Sequence, residues 1–459
     1  MSTKRIFGTD GIRGEANKEL TATLTLLLGK AAGRWILQHP EETGRAERPF
    51  VVVGRDTRLS GDMLESALAT GLAAMGVDAR LVGVIPTPGV SQIVLSRGAA
   101  AGVVISASHN PFADNGIKFF GRDGKKLPDS VEDDITELLR TIEGAPRPTG
   151  GAIGRILSSP EWSIDYVGRV RETVHSFGEQ PLAGLHLVMD CANGAAYKLA
   201  PEIFVSLGAK LTLIHNTPDG VNINAKCGST TLHSLKEKVR EVGAHAGLAF
   251  DGDADRVMLT DSKGNEINGD RMMAIIGIYL KRQNKLKSNC VIATIMSNVG
   301  LEKALEQEGI QLHRTKVGDR YVAEGMQKEG AIVGGEQSGH ILLPYVTPTG
   351  DGMITALQVF AILREMGKTL DELASVVQDY PQRLVSFRVK NLQCWDKDPE
   401  IQNAIETARA RFENPIWLSV RASGTEPLLR VMAQSTEQSV VDEVVESLIS
   451  MLKQKLGEA

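Results

Sequence analysis

Short apolar runs rich in Val, Ile and Leu recur along this chain, separated by longer segments whose apolar positions follow a helical period. Three stretches share one plan. The first opens on FVVVGRD (50–56), passes through a helical segment to VDARLVG (77–83), and through a second to GVVISASHN (102–110). The next runs from LHLVMDCANG (185–194) through AKLTLIHN (209–216) to GLAFDGDADR (247–256). The last runs from CVIATIMSN (290–298) through IQLHRTKV (310–317) to AIVGGEQSGH (331–340). Each predicts strand–helix–strand–helix–strand, with a polar motif after the last strand. Near-continuous apolar runs suit strands covered on both faces of a mixed or parallel sheet. Leu64, Leu68, Leu72 and Met75 carry the helical spacing of the first intervening segment. Gly76, Gly208 and Gly309 stand where the first helix of each repeat should close, because glycine enters the left-handed conformation at little cost.

The C-terminal stretch departs from this plan. RLVSFRVKN (383–391) and IWLSVRASGTEPLLRVMAQ (416–434) read as strands around a loop, and Val441, Val444, Leu448 and Met451 mark one face of a following helix. The expected fold class is α/β: three similar mixed-sheet α/β domains plus a smaller C-terminal α+β domain. The boundaries fall at 1–160, 161–262, 263–378 and 379–459. HPEETGRAERPF (39–50) reads as a polar surface loop ahead of the first core strand.

Composition narrows the setting. A length of 459 residues accommodates three or four domains, and 42% apolar with 23% charged residues is ordinary for a soluble globular protein. Fifty-one basic against 56 acidic residues lack the basic excess of a nucleic-acid binder, so no nucleic-acid partner is expected. Cys191, Cys227, Cys290 and Cys394 are far apart with no C-x-x-C pair, so neither a disulfide framework nor a zinc site is expected. No signal peptide is visible, and no apolar run approaches the ~20 residues that span a bilayer. A cytoplasmic, reducing location without a membrane partner follows.

Candidate chemistry sits in the polar motifs. In open α/β sheets, ligands bind beyond the carboxyl ends of strands, where all three repeats place their motif. In SASHNPFADNGIKFF (106–120), Ser108 lies in a short loop beside His109 and Asn110, with Lys118 downstream as an acid/base group or a phosphate clamp. A serine is a weak nucleophile unless a neighbour takes its proton or it already carries phosphate. In DGDADR (251–256), three aspartates at alternating positions can share one side, and three crowded carboxylates call for a hard cation such as magnesium. In GGEQSGH (334–340), Glu336 and Ser338 can hydrogen-bond sugar hydroxyls, and His340 can serve as an acid/base group. In RASGTEPLLR (421–430), Arg421 offers a planar fork for phosphate, Ser423, Gly424 and Thr425 offer neutral donors, and Arg430 a second cation or a strand-face residue. Arg13, between glycines in FGTDGIRG (7–14), and Asp319 and Arg320 in KVGDRYV (316–322) read either as turn chemistry or as phosphate and substrate contacts. A G-x-S-x-G elbow and an NTP-binding P-loop are both missing, and an EF-hand fails because Arg256 and Ser262 stand where it needs glycine and glutamate.

Taken in order, SASHNP, DGDADR, GEQSGH and RASGTEP resemble the α-D-phosphohexomutase superfamily, and the likeness covers essentially the whole chain. The resemblance implies four domains, heart-shaped around a central cleft. It implies that Ser108 carries the catalytic phosphate and joins Asp251, Asp253 and Asp255 in holding one Mg2+ per subunit. It puts Glu336, Ser338 and His340 in a sugar-recognition loop, and Arg421, Ser423, Gly424, Thr425 and Arg430 in a loop gripping the non-reacting phosphate. Arg13, His109, Lys118 and Arg256 match active-site positions. Within the superfamily, Gln337, FGTDGIRG and PDGVNINAKCGS (218–229) are similar to phosphoglucosamine mutases, whereas phosphomannomutase/phosphoglucomutase enzymes more often carry methionine at position 337. The implied reaction interconverts glucosamine 6-phosphate and glucosamine 1-phosphate through phosphoserine and a 1,6-bisphosphate, which also serves as activator. The alternative is phosphomannomutase/phosphoglucomutase activity. The implied partner is a small sugar phosphate, and the chain would work as a monomer or homodimer. Two rivals stand beside this reading. An aspartate-nucleophile phosphatase would use Asp251 and Asp253, although Asp255 stands where threonine is expected. A sugar-phosphate sensor would bind without turnover.

Overall fold

The computed structural model describes residues 6–8, 10–44, 48–412, 417–422 and 428–457. The chain forms two compact units, one built from residues 1–276 and 338–374, the other from 277–337 and 375–459.

The first unit holds two sheets. One has six strands in the order Ile12–Glu15, Asp114–Gly121, Ala101–Ile105, Phe50–Arg55, Asp78–Val84, Ile156–Ser158. Phe50–Arg55 runs parallel to both Asp78–Val84 and Ala101–Ile105, and Asp114–Gly121 returns antiparallel beside Ala101–Ile105. The expected helices connect them at Gly61–Ala74 and Thr87–Arg97. Leu64, Leu68 and Leu72 are fully buried, as their spacing predicts, within a core shared with Val51, Val53, Val103 and Leu28. The other sheet has five strands in the order Glu266–Ile267, Val257–Asp261, Ala246–Phe250, His186–Asp190, Lys210–Ile214. His186–Asp190 is parallel to both Ala246–Phe250 and Lys210–Ile214. Helix Gly352–Met366, capped by Asp351 on the Met353 and Ile354 amides, returns to this unit, where Tyr166 Oη donates to Asp351 at 2.9 Å.

The second unit contains the parallel strands Cys290–Thr294, Gln311–Thr315 and Gly334–Gly335. It also contains an antiparallel sheet ordered Gln382–Arg388, Leu428–Gln434, Leu418–Ala422. Val441, Val444 and Leu448 of helix Gln438–Leu456 are buried against that sheet, with Met451 partly buried beside them.

Gly76, Gly208 and Gly309 all adopt positive φ (+90°, +98° and +66°) just past the helices they were expected to close. Several features differ from expectation. Strands Asp114–Gly121 and Val257–Asp261 follow the first two polar motifs, and helix Pro399–Arg409 lies between the C-terminal strands. The last strand of the third repeat is only Gly334–Gly335 and leads straight into its motif. Within the polar stretch 39–50, Pro40–Thr43 is helical, because Pro40 at its first turn presets φ and Thr43 hydrogen-bonds back to Ile36 and His39. Arg13 lies in a strand rather than a turn.

Candidate active site

Ser106 follows strand Ala101–Ile105 and Asp251 follows strand Ala246–Phe250, and these two carboxyl ends meet within the first unit. Ser108 Oγ donates to Asp251 Oδ2 at 2.6 Å and lies 3.3 Å from His109 Nδ1. Ser108 is buried and has φ +53°, a left-handed conformation unfavourable to a side chain unless its surroundings fix it.

Those surroundings are built by residues that the motifs did not single out. Arg58, 1% exposed, donates to the carbonyls of Ser108 (3.0 Å), Asn110 (2.8 Å) and Asp114 (2.9 Å), and also to that of Pro111. Asp56 anchors Arg58, accepting from its backbone N–H at 2.9 Å and its Nε at 2.8 Å. Asp56 also accepts from Ser106 Oγ at 2.6 Å, and Ser106 Oγ in turn accepts the Ser108 amide at 2.9 Å. Burial pushes the Asp56 carboxyl up, and the Arg58 charge opposes that rise. From the loop after strand Lys210–Ile214, Asn224 Nδ2 donates to the Ser108 and Asn110 carbonyls at 2.9 and 3.0 Å. Gly252 lies so near that a Cβ there would stand 2.5 Å from the Ser108 carbonyl oxygen. The legible signal was GRDTRLSG (54–61), an Asp-x-Arg pair at the carboxyl end of the strand parallel to the one that carries the serine.

The three aspartates are buried, with one ligand atom of each within 4.8 Å of the others. Asp253 Oδ2 accepts from Thr87 Oγ1 at 2.7 Å and from Lys118 Nζ at 3.1 Å. Asp255 Oδ2 lies 3.6 Å from His340 Nδ1 and 3.9 Å from Lys118 Nζ. The Arg256 amide donates to Asp251 Oδ1 at 3.2 Å. Asp253 Oδ1 and Asp255 Oδ1 are buried without a hydrogen-bond partner among the described residues. Such orphaned carboxylate oxygens are costly unless a cation takes them. The all-oxygen donor set therefore fits magnesium.

The charges pull neighbouring groups in opposite directions. Burial and the other two aspartates push Asp251 well above the ordinary carboxylate range. Burial would raise Asp255 as well, but His340 and Lys118 outweigh it and hold Asp255 low. Lys118 would be lowered by its burial, yet Asp10, Asp253 and Asp255 hold it well above the usual range, so it stays an ammonium ion. Asp10 joins this network, 3.0 Å from Lys118 and paired with Lys126 and Arg13; these cations keep its carboxyl low against the effect of burial. His109 is lowered to about 4 by burial, with Arg256 and Arg13 adding to the shift, so its imidazole is neutral at pH 7.

The structure thus gathers Arg13, Ser108, His109, Lys118, Asp251, Asp253, Asp255, Arg256 and His340 into one connected set. Ser338 lies two residues before His340 in the same unit. In the second unit, Glu336 Oε1 accepts the Gly318 amide at 3.1 Å, which ties the GEQSGH loop to the turn before Asp319 and Arg320. Asp319 opens helix Asp319–Glu329, and its Oδ1 accepts the Arg320 amide at 2.9 Å. Arg421 and Arg430 face each other across antiparallel strands. Burial and Arg430 both lower Arg421, and Arg430 Nε is buried without a partner among the described residues. Like charges directly opposite are unfavourable, and an anion between them removes the penalty. Ser423, Gly424 and Thr425 lie outside the described residues.

Residues 4–145, 164–264, 268–380 and 384–450 match, in turn, the alpha/beta/alpha domains I, II and III and the C-terminal domain of phosphoglucomutase/phosphomannomutase. The chain is 45% identical over 454 residues to a phosphoglucosamine mutase of Lacticaseibacillus casei, covering 99% of both. It is 48% identical over 456 residues to one of Clostridium botulinum, covering 98% of this chain and 99% of that protein. Among solved structures, a phosphoglucomutase/phosphomannomutase family protein of Burkholderia thailandensis superposes with a TM-score of 0.80 at 24% identity, covering 100% of this chain and 99% of the other. An Aspergillus fumigatus N-acetylphosphoglucosamine mutase, solved in complex with GlcNAc-6P and magnesium, superposes with a TM-score of 0.65 at 17% identity, covering 98% and 96%. At these identities the structures speak to the fold, and the full-length relatives speak to the family. Among the described residues, no helix is long and apolar enough to cross a membrane.

Proposed function

The chain belongs to the phosphoglucosamine mutase branch of the phosphoglucomutase/phosphomannomutase family, and on that premise we propose that it interconverts glucosamine 6-phosphate and glucosamine 1-phosphate by way of phosphorylated Ser108. The observation that carries this reading is the Ser108 hydroxyl, held 2.6 Å from Asp251 at the meeting of two strand ends and beside two further buried carboxylates.

The phosphoserine gives its phosphoryl group to a sugar hydroxyl, which loses its proton as the new P–O bond forms, and Ser108 regains a proton. The resulting 1,6-bisphosphate turns over, and its other phosphate returns to Ser108 by the reverse step. Asp251 orients the serine hydroxyl, which gives up its proton during that return. Neutral His109, 3.3 Å from the serine oxygen, can accept a proton at pH 7. Of the two roles that the sequence leaves open for Lys118, its retained charge favours the phosphate clamp, with Arg13 and Arg256 adding positive charge. His340 holds Asp255. Asp251, Asp253, Asp255 and a Ser108 phosphate oxygen would hold one Mg2+, which offsets charge on the transferring phosphoryl group. Glu336, Ser338, Asp319 and Arg320 are assigned to the substrate, as the resemblance implies. The facing Arg421 and Arg430 support a phosphate grip, with Ser423, Gly424 and Thr425 as its neutral donors. A hexosamine or hexose 1,6-bisphosphate would prime the serine. This reading implies a cytoplasmic enzyme of sugar-phosphate metabolism, monomeric or homodimeric.

The test compares wild type with Ser108→Ala on glucosamine 1-phosphate, with magnesium and a trace of bisphosphate. The variant should lose on the order of a thousandfold or more in kcat while keeping its fold. Substantial turnover by the variant would sink the assignment. Acid treatment of labelled enzyme separates the rival chemistry: label on Ser108 survives, whereas an acyl phosphate on Asp251 hydrolyses. Greater kcat/KM on glucose or mannose 1-phosphate would move the chain to the phosphomannomutase/phosphoglucomutase specificity.

A further inference from the structure

The sequence spacing offers no zinc motif, yet folding brings three unlike donors together away from the aspartate triad. Asp190 ends strand His186–Asp190, His215 follows the parallel strand Lys210–Ile214, and Cys227 lies in the loop that returns from it. One ligand atom from each lies within 4.8 Å of the others. We propose that Asp190, His215 and Cys227 form a second metal site, which takes a zinc-class divalent cation.

Each ligand is held as such a site requires. Asp190 is fully buried, and its carboxylate is oriented by the Ala192 amide on Oδ1 (2.8 Å) and the Gly228 amide on Oδ2 (3.0 Å). Ligating carboxylates are commonly fixed in this way by outer hydrogen bonds. His215 has φ +47°, and its Nδ1 points at Asp190 Oδ2 at 3.0 Å. An imidazole beside a carboxylate at that distance is close to the spacing of two ligands on one tetrahedral ion, about 3.3 Å for zinc bonds of about 2.0 Å. Cys227 is fully buried and makes no hydrogen bond with the described residues. The His215 side chain is 28% exposed, so solvent reaches the cluster on one side and can supply a fourth ligand. Thiolate, imidazole and carboxylate together select zinc-class ions over magnesium, which keeps to oxygen.

The chemistry balances. The Cys227 thiol forms a metal–sulfur bond and releases its proton to solvent. His215 keeps one proton, moved from Nδ1 to Nε2, and binds through Nδ1. Asp190 exchanges its hydrogen bond from His215 for a metal–oxygen bond. Metal therefore competes with the thiol proton for Cys227, and its binding should tighten as pH rises.

The test uses the full-length, reduced protein saturated with magnesium and titrated with Co2+ as a spectroscopic substitute for zinc. A thiolate-to-cobalt charge-transfer band should grow to one equivalent and vanish on adding Zn2+. Cys227→Ser should abolish the band. His215→Asn tolerates the left-handed backbone and can still donate to Asp190, yet it removes the imidazole ligand; it should weaken cobalt binding roughly tenfold or more. Should Cys227→Ser fail to fold, His215→Asn alone decides. The proposal falls if magnesium-saturated protein shows no thiolate band. It also falls if the band survives Cys227→Ser and disappears with Cys394→Ser, or if His215→Asn leaves the affinity unchanged.

Discussion

Arg58 exerts its effect through backbone carbonyls, and so it could not be found by looking for catalytic side chains. Its donors hold four oxygens of the serine loop, and Asp56 locks the guanidinium in place. Lysine has charge without the planar fork, so Arg58→Lys cannot reproduce the set. It should lower kcat about a hundredfold through misplacement of Ser108, with KM little changed. Arg58→Leu should cost about 3–5 kcal/mol, because it strands buried Asp56; urea melts check this, and a near-neutral result would deny Arg58 its positioning role. His109 gives a pH prediction. In magnesium-free protein its imidazole should titrate near 4, followed by NMR, because burial and then Arg256 and Arg13 disfavour the charged form. The unfolded chain protonates this group near 6.5 and the folded chain does not, so its contribution to stability is present above 6.5 and is lost as pH falls towards 4. A midpoint at or above 6.5 would remove the neutral base from the site. Ser108, Lys118, the aspartates and the arginines were legible because their types and order are informative. Thr87 and Asn224 were not, because contacts over 100 residues apart in sequence leave no local pattern.

At the scale of elements, the hydrophobic pattern located the three repeated strand–helix units and their closing glycines. It passed over Asp114–Gly121, whose DNGIKFFG mixes polar and apolar residues, although pairing with Ala101–Ile105 buries six of its eight positions. Val257–Asp261 is hidden by its short run next to the aspartates, and helix Pro399–Arg409 by a sequence with few large apolar residues. Helices Ala22–Gln38 and Gly61–Ala74 cross where Gly29 meets Gly71. A Cβ on Gly71 would stand 2.3 Å from the Leu26 carbonyl oxygen and 2.9 Å from Gly29 Cα, so Gly71→Ala must drive two backbones apart. The expected loss is about 1–3 kcal/mol, read as a lower urea midpoint at unchanged slope. Wild-type stability in that variant would mean the crossing is looser than described.

For the molecule as a whole, the two units differ in what magnesium does for them. The aspartate triad belongs wholly to the first unit. A ligand that binds only the folded form raises the transition of the unit that holds it, by an amount set by the ratio of concentration to Kd. Calorimetry with and without EDTA should therefore show a magnesium-dependent shift in the transition of the first unit and little in that of the second. Equal shifts in both would contradict this assignment.

The first unit is also discontinuous along the chain: residues 338–374 return to it after the second unit has begun. This matters while the protein is being made. When the ribosome has extruded residue 276, Asp255 still lacks His340, and Tyr166 still lacks Asp351. At about 5–20 residues per second, the missing segment follows some 5–20 seconds later. Until then the nascent chain exposes the surface that helix Gly352–Met366 will bury, and that interval is when a chaperone has most to hold.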